Sequence, residues 1–183
     1  MKELSLNILD IAENSVKAGA TLIQISITEN ENEFIFSISD NGCGMKSEML
    51  ENVINPFCTT RTTRKVGLGI PLLKLASEQT GGGVIIKSRH KSEFPLEHGT
   101  DVTARFLKKH IDFTPLGDII STIITLVQGS PNIDFVFSHV VDGKKVDLDT
   151  RRLREVLGED IPLNEPEILN WIKDNLQEQY ASV

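Results

Sequence analysis

Apolar positions near the start of the chain recur at helical spacing. Leu4, Ile8, Ile11 and Ala18 share one face of residues 3–18, and Gly19 follows as the C′ residue expected to end the helix. Glu3, Asn7, Asp10, Asn14 and Lys17 fall at alternating steps of four and three and form one polar stripe. The pattern changes to period two in Phe34-Ile35-Phe36-Ser37-Ile38-Ser39, which predicts a half-buried strand. Helical periodicity returns after Gly67-Leu68-Gly69. Pro115-Leu116-Gly117 then breaks the chain, and Ile119, Ile120, Ile123, Ile124 and Val127 outline another helical face. Residues Ile133–Val141 and Lys144–Leu148 flank Asp142-Gly143, a two-residue hairpin signal. Asp149 or Thr150 can cap a helix over Arg151–Leu157. Asn164, followed by Glu165-Pro166-Glu167, is expected to open a last helix whose Ile168, Trp171, Ile172 and Leu176 pack into the core. The expected organisation is a first domain over residues 1–109 and a small C-terminal α/β extension over 110–183.

Composition narrows the classes. With 183 residues and 39% hydrophobic content, the chain can build a real core in one or two domains. It shows no apolar run of membrane length, since Ile119–Val127 is too short, and no apolar segment of a signal peptide. A cytoplasmic protein with no membrane contact is expected. Cys43 and Cys58 lack metal-ligand spacing and suit small packed thiols. The formal charge of −7 argues against a nucleic-acid partner. His90, His98 and His139 show no ligand spacing and are expected at the surface or in loops.

Three features carry chemistry. Asp40 has the parity of Phe34, Phe36 and Ile38, so its carboxylate points to the core side and needs a partner such as an exocyclic amine. The following Gly42 and Gly44 would let a flat ligand approach the backbone. Residues 52–77 contain no Asp or Glu but carry Arg61, Arg64, Lys65 and Lys74, a cationic island in an acidic protein. Set against Gly67-Leu68-Gly69 at a helix start, that island suits an anionic group such as phosphate. Finally, Asp10 and Asn14 are i,i+4 neighbours; an Asn oxygen suits Mg²⁺, and a carboxylate one turn away can polarise a water.

In this order, these pieces resemble the GHKL superfamily of ATP-binding domains, shared by type II topoisomerases, chaperones, mismatch-repair ATPases and sensor histidine kinases. Residues 10–21, from Asp10-Ile11-Ala12-Glu13-Asn14 to Thr21, look like the N-box. Asp40-Asn41-Gly42-Cys43-Gly44-Met45 looks like the G1 box, Asn55-Pro56-Phe57 with Thr59-Thr60-Arg61 resembles the kinase F-box, and Gly67-Leu68-Gly69-Ile70 the G2 box. Gly81-Gly82-Gly83 resembles the turn into the family's next strand, and Gly99-Thr100 the start of its threonine-bearing final strand. The resemblance covers residues 1–107 and implies an α+β, two-layer α/β sandwich of the Bergerat type.

The resemblance also implies ATP and Mg²⁺ as ligands. Asn14 would coordinate Mg²⁺, and Asp40 would accept from the adenine amine. Gly42 and Gly44 would shape the base pocket, Gly67, Leu68 and Gly69 the phosphate loop, with Thr60, Arg61 and Lys65 beside it. Thr100 would support adenine through a water. Only residues 45–66 separate Gly44 from Gly67, a short lid like that of the kinase branch. The family's function implies a catalytic domain that phosphorylates a partner protein, as histidine kinases or anti-sigma-type serine kinases do. The competing expectation is a nucleotide-sensing interaction module without phosphoryl transfer. Homodimerisation stays open.

Departures from the family pattern bear on catalysis. Hydrolytic members carry Glu four residues before the N-box Asn, where this chain has Asp10. One methylene less withdraws the carboxylate by roughly 1 Å, and such misplacement can cost about 100-fold in rate. Glu13 is a second candidate base, although its helical row includes Leu6, Leu9 and Val16. Binding is therefore expected to exceed hydrolysis. The stretch before the N-box is too short for a phosphoacceptor helix pair, so the chain is expected to begin where a catalytic domain begins. His110-Ile111-Asp112-Phe113-Thr114-Pro115-Leu116 matches the core of a kinase phosphoacceptor box, but after the ATP-binding region and with its acid displaced by one. A strand exit closed by a Thr-Pro turn is the favoured reading.

Overall fold

The computed structural model describes residues 3–54, 69–158 and 161–183. The chain enters through helix α1 (Leu4–Lys17), strands β1 (Leu22–Glu29) and β2 (Glu33–Asp40), and helices α2 (Ser47–Ile54) and α3 (Gly69–Gln79). Strands β3 (Gly83–Arg89) and β4 (Gly99–Leu107) lead to α4 (Ile119–Gly129). Strands β5 (Asp134–Val141) and β6 (Lys144–Asp149) and helices α5 (Thr150–Leu157) and α6 (Pro166–Ala181) complete it. The strands form one six-stranded sheet in the order β3-β4-β2-β1-β5-β6. All pairs are antiparallel except β1 and β5, which run parallel.

Period-two alternation decides which face of that sheet is covered. Ile23, Ile25 and Ile27 of β1, Phe34, Phe36 and Ile38 of β2, and Val102, Ala104 and Phe106 of β4 are buried. They form one core with Leu4, Ile8, Ile11 and Ala12 of α1, Leu73 of α3, Ile123 and Leu126 of α4, and Ile172 and Leu176 of α6. The opposite face carries Gln24, Ser26 and Thr28, all exposed. The result is a two-layer α+β sandwich.

Residues after 110, expected as a distinct extension, build into this same sheet and core. Strand β5 lies against β1 from Leu22↔Asp134 to Glu29↔Val141, and Phe135 and Phe137 join the buried cluster. Phe113 packs on Phe34 and Phe106 with ring centroids 6.1 and 6.4 Å away. The first turn of α1 has no side-chain cap from Glu3. Its Leu4 and Ser5 N–H groups donate to the Pro115 and Leu116 carbonyls at 2.9 and 2.8 Å, so the later segment satisfies donors that a helix start leaves open. His110 lies in the turn after β4, where it accepts from the Asp112 N–H at 3.2 Å.

The expected hairpin between β5 and β6 is present. Asp142 and Gly143 both have positive φ, 47° and 87°, as a type I′ turn requires. Asp149 caps α5 by accepting from the Arg151 N–H. Helix α6 starts at Pro166 after Glu165 rather than being capped by Asn164. Ile172 and Leu176 are buried, but Trp171 is 52% exposed, against the expectation that it packs into the core. Adjacent residues on a helix point about 100° apart, and Ile172 takes the inward direction. At the outer strand, the Gln179 side-chain amide pairs with the Asp147 backbone, donating to its carbonyl at 2.9 Å and accepting from its N–H at 2.8 Å.

His139 corrects another expectation, since it is 2% exposed within β5 rather than at the surface. Its Nδ1 lies 2.7 Å from the Tyr180 hydroxyl and its Nε2 3.1 Å from Glu29 Oε1. Glu29 also accepts from Lys108 Nζ at 2.6 Å. Burial pushes the His139 pKa below its usual 6.5, opposed by the Glu29 carboxylate and reinforced by Lys108. The unfolded chain therefore takes up a proton that the folded one resists, and stability falls as pH drops below about 6.5. The slope this residue contributes is at most about 1.4 kcal/mol per pH unit. His139→Gln is expected to flatten that decline in urea melts between about pH 7.5 and 5.5. Equal slopes in both proteins would overturn this.

Candidate nucleotide site

Asp40 ends β2 with its carboxylate turned to the core side, as its parity requires. Oδ2 accepts from the Ser15 hydroxyl at 2.6 Å. Oδ1 accepts from the Gly42 N–H at 2.9 Å and from the Thr100 N–H at 3.3 Å. The fold itself thus supplies donors to this charge. Ser15 was not among the expected site residues; its only sequence signal is a serine in the buried row of Ile8 and Ile11. Thr100 stands opposite Asp40 in the β2–β4 register, and its hydroxyl lies 2.8 Å from the Ser88 hydroxyl.

The turn after Asp40 is fastened on two sides. Asn41 Oδ1 accepts from the Thr21 and Leu22 N–H groups at 2.9 and 3.0 Å. The Cys43 N–H donates to the Ala18 carbonyl, and the Cys43 carbonyl accepts from the Lys91 N–H, both at 2.9 Å. The Met45 N–H donates to Ser88 Oγ at 2.7 Å. Close approach explains the glycines, and what approaches is the protein's own chain. A Cβ on Gly42 would meet Ala18 Cβ at 2.9 Å and Asp40 Oδ1 at 3.0 Å. Gly44 has φ +67°, and its Cβ would lie 2.0 Å from the Arg89 carbonyl oxygen. A polar cleft of about 310 Å³ opens at this end of the sheet, lined by Asp40, Ser88, Arg89, His98, Gly99 and Asp101 among others.

Helix α1 places its stripe unevenly. Asn7 is buried, and Glu3 accepts from the Asp118 N–H at 3.3 Å. Asp10 and Asn14 are exposed one turn apart. Gly69, the first residue of α3, stands beside Asp10: a Cβ there would lie 3.5 Å from Asp10 Cβ and 3.8 Å from Asp10 Oδ2. The structure therefore brings the Asp10 carboxylate to a helix start, one turn from the Asn14 carboxamide. Glu13 instead pairs with Lys17 at 3.6 Å on the solvent side. Thr60, Arg61, Lys65, Gly67 and Leu68, with Cys58 and the F-box-like run, lie outside the described residues. Among the described residues, no group of three or more His, Cys, Asp or Glu could hold a metal ion. No helix among them is long and apolar enough to cross a membrane.

Sensor protein SrrB of Staphylococcus aureus is 34% identical over 93 residues, covering 48% of this chain and 16% of that protein. The chain thus spans only a small part of this relative. The Aquifex aeolicus MutL ATPase domain complexed with ADP superposes with a TM-score of 0.56 at 17% identity, over 86% of this chain and 69% of that one. The N-terminal domain of a DNA repair protein gives a TM-score of 0.52, also at 17% identity, over 80% of this chain and 52% of the other. These two likenesses concern the fold, and their coverage reaches beyond residue 110. The family described as histidine kinase-, DNA gyrase B-, and HSP90-like ATPase matches residues 2–110, more than half of the sequence, and this chain belongs to it.

Proposed function

We propose that this chain binds ATP with Mg²⁺ and serves in the cytoplasm as a phosphotransfer module directed at a protein partner. The observation that carries the reading is the Asp40 carboxylate. A carboxylate offers about four lone-pair sites, and Ser15, Gly42 and Thr100 use three, so one remains for an exocyclic amine. Adenine donates from that amine, whereas guanine turns a carbonyl toward the same place. Phosphates would run toward the start of α3 at Gly69, where first-turn N–H groups and the helix dipole favour anions. Thr60, Arg61, Lys65, Gly67 and Leu68 enter this reading through the family resemblance alone.

The exposed Asn14 carboxamide fits Mg²⁺, which when bound neutralises phosphate charge. Asp10, one turn earlier, would orient a water or accept a proton. Calorimetric titration tests the reading. ATP should bind more tightly with Mg²⁺ than without, and GTP poorly. Asn14→Ala should remove the Mg²⁺ dependence while retaining adenosine contacts. Indistinguishable ATP and GTP titrations would sink the assignment.

Transfer to a partner, rather than hydrolysis, is supported by the likeness to a sensor protein and by the shorter carboxylate at position 10. The parent should turn over ATP far below the usual enzyme range of about 1–10³ s⁻¹. Asp10→Glu should raise single-turnover hydrolysis with little change in ATP affinity. A fast parent, or a slower mutant with unchanged binding, would place the base elsewhere.

A further inference from the structure

The β3–β4 hairpin touches the turn after Asp40 at successive points. Ser88 accepts from the Met45 N–H at 2.7 Å, and the Lys91 N–H donates to the Cys43 carbonyl at 2.9 Å. His98 Nδ1 lies 2.6 Å from the Gly42 carbonyl oxygen. A carbonyl only accepts, so Nδ1 carries the hydrogen in this contact. The Gly42 N–H in turn donates to Asp40 Oδ1 at 2.9 Å. A single peptide residue is therefore held at both ends, by His98 on its carbonyl and by Asp40 on its N–H. The hairpin base is braced by the Arg89–Glu97 ion pair at 3.0 Å, and its loop by the Phe94 N–H bonding the His90 carbonyl at 2.9 Å.

We infer that His98 is a positioning residue for nucleotide selection: it fixes Gly42, which aims the Asp40 carboxylate at the base. The inference rests on the ATP-binding reading above. Without the His98 bond, the Gly42–Cys43 peptide keeps only the Cys43 N–H bond to the Ala18 carbonyl. The Gly42 N–H then holds Oδ1 less firmly, and the carboxylate, left with Ser15 and Thr100, presents its free lone pair to an amine less sharply. Discrimination between ATP and GTP then declines along with affinity.

The test uses the full chain and substitutions that separate hydrogen bonding from shape. His98→Asn places an amide N–H where Nδ1 stands. His98→Asp keeps nearly the same outline but presents an acceptor to the Gly42 carbonyl. Leu96→Ser is a control on the same loop, at a side chain 97% exposed. ATP affinity should fall about 5- to 10-fold in His98→Ala, the scale of one hydrogen bond. It should fall at least as much in His98→Asp and stay near the parent value in His98→Asn and Leu96→Ser. The ATP-to-GTP affinity ratio should shrink in the Ala and Asp variants, which lost packing alone would not produce. Parent-like affinity in His98→Ala, or equal weakening in Asn and Asp, would overturn the inference. Should the parent itself fail to bind ATP, the functional reading falls, and amide hydrogen exchange decides this inference separately. Exchange at Gly42 and Cys43 should accelerate in the Ala and Asp variants but not in Asn; unchanged exchange overturns it. If His98→Ala does not fold, the Asn and Asp pair carries the test.

Discussion

A chain ending at residue 109 is expected not to fold cooperatively, although the family match stops at residue 110. Removing the remainder strips β5 from the edge of β1 along the whole strand. Ile23, Ile25 and Ile27 lose Phe135 and Phe137 as neighbours in the core, and α1 loses the helix layer contributed by α4. The N–H groups of Leu4 and Ser5 also lose the Pro115 and Leu116 carbonyls. Each large apolar side chain returned to water costs about 1.5–3 kcal/mol. Several such losses match or exceed the whole stability of a domain, about 5–15 kcal/mol. The full chain should show a sigmoidal urea transition, and the 1–109 fragment should show none. A fragment with a cooperative transition near the parent midpoint would show that the first strands and helices suffice.

Asp40→Asn should weaken ATP binding by roughly 1.5–3 kcal/mol, about 10- to 150-fold, the range for a hydrogen bond to a charged group. The fold should tolerate the change. An amide can keep its oxygen at the Oδ1 position, facing the Gly42 and Thr100 N–H groups, and its nitrogen at the Oδ2 position, donating to Ser15. A hydroxyl both donates and accepts, so Ser15 adapts by rotation. The adenine amine cannot adapt, because it then meets another donor. A thermal melt of the unliganded mutant beside the titration separates the two effects. Unchanged ATP affinity would remove Asp40 from the base pocket, and a large drop in melting temperature would make its role structural.

The inward aim of Asp40 was legible because period two assigns each strand residue to a face regardless of its neighbours. Helical spacing likewise reached the buried face of α1, and local turn and capping signals reached the Asp142-Gly143 hairpin and a cap at Asp149 or Thr150, of which Asp149 serves. Strand β1 and helix α2 were not among the expected elements, although Leu22–Glu29 alternates as plainly as β2. Periodicity gives faces and not neighbours. Nothing local announces that β5 slots in parallel beside β1, since a parallel pair depends on a long crossover and not on a turn. Ser15 and His139 escaped for the same reason. Their partners, Asp40 for one and Glu29 with Tyr180 for the other, are remote in sequence and converge only through the sheet. Asp10 and Asn14, a turn apart, could be paired from the sequence; the closeness of Asp10 to Gly69 could not.

The Gln179 amide on Asp147 has a consequence for how copies of this molecule meet. An amide that donates and accepts in parallel imitates one residue of a neighbouring strand, so the outer rim of β6 already has a surrogate partner there. The same strand carries charged side chains, with Lys145 paired to Asp147 at 2.7 Å and Lys144 donating to the Ser182 carbonyl at 3.1 Å. A strand from another molecule arriving at this side would have to displace the glutamine and accommodate the charged side chains of β6, the kind of obstacle that keeps sheets from polymerising. Crowded solutions of this protein should then resist fibrillar growth from that side. Shortening the glutamine to alanine would remove the surrogate and leave the charged side chains of β6 as the remaining barrier.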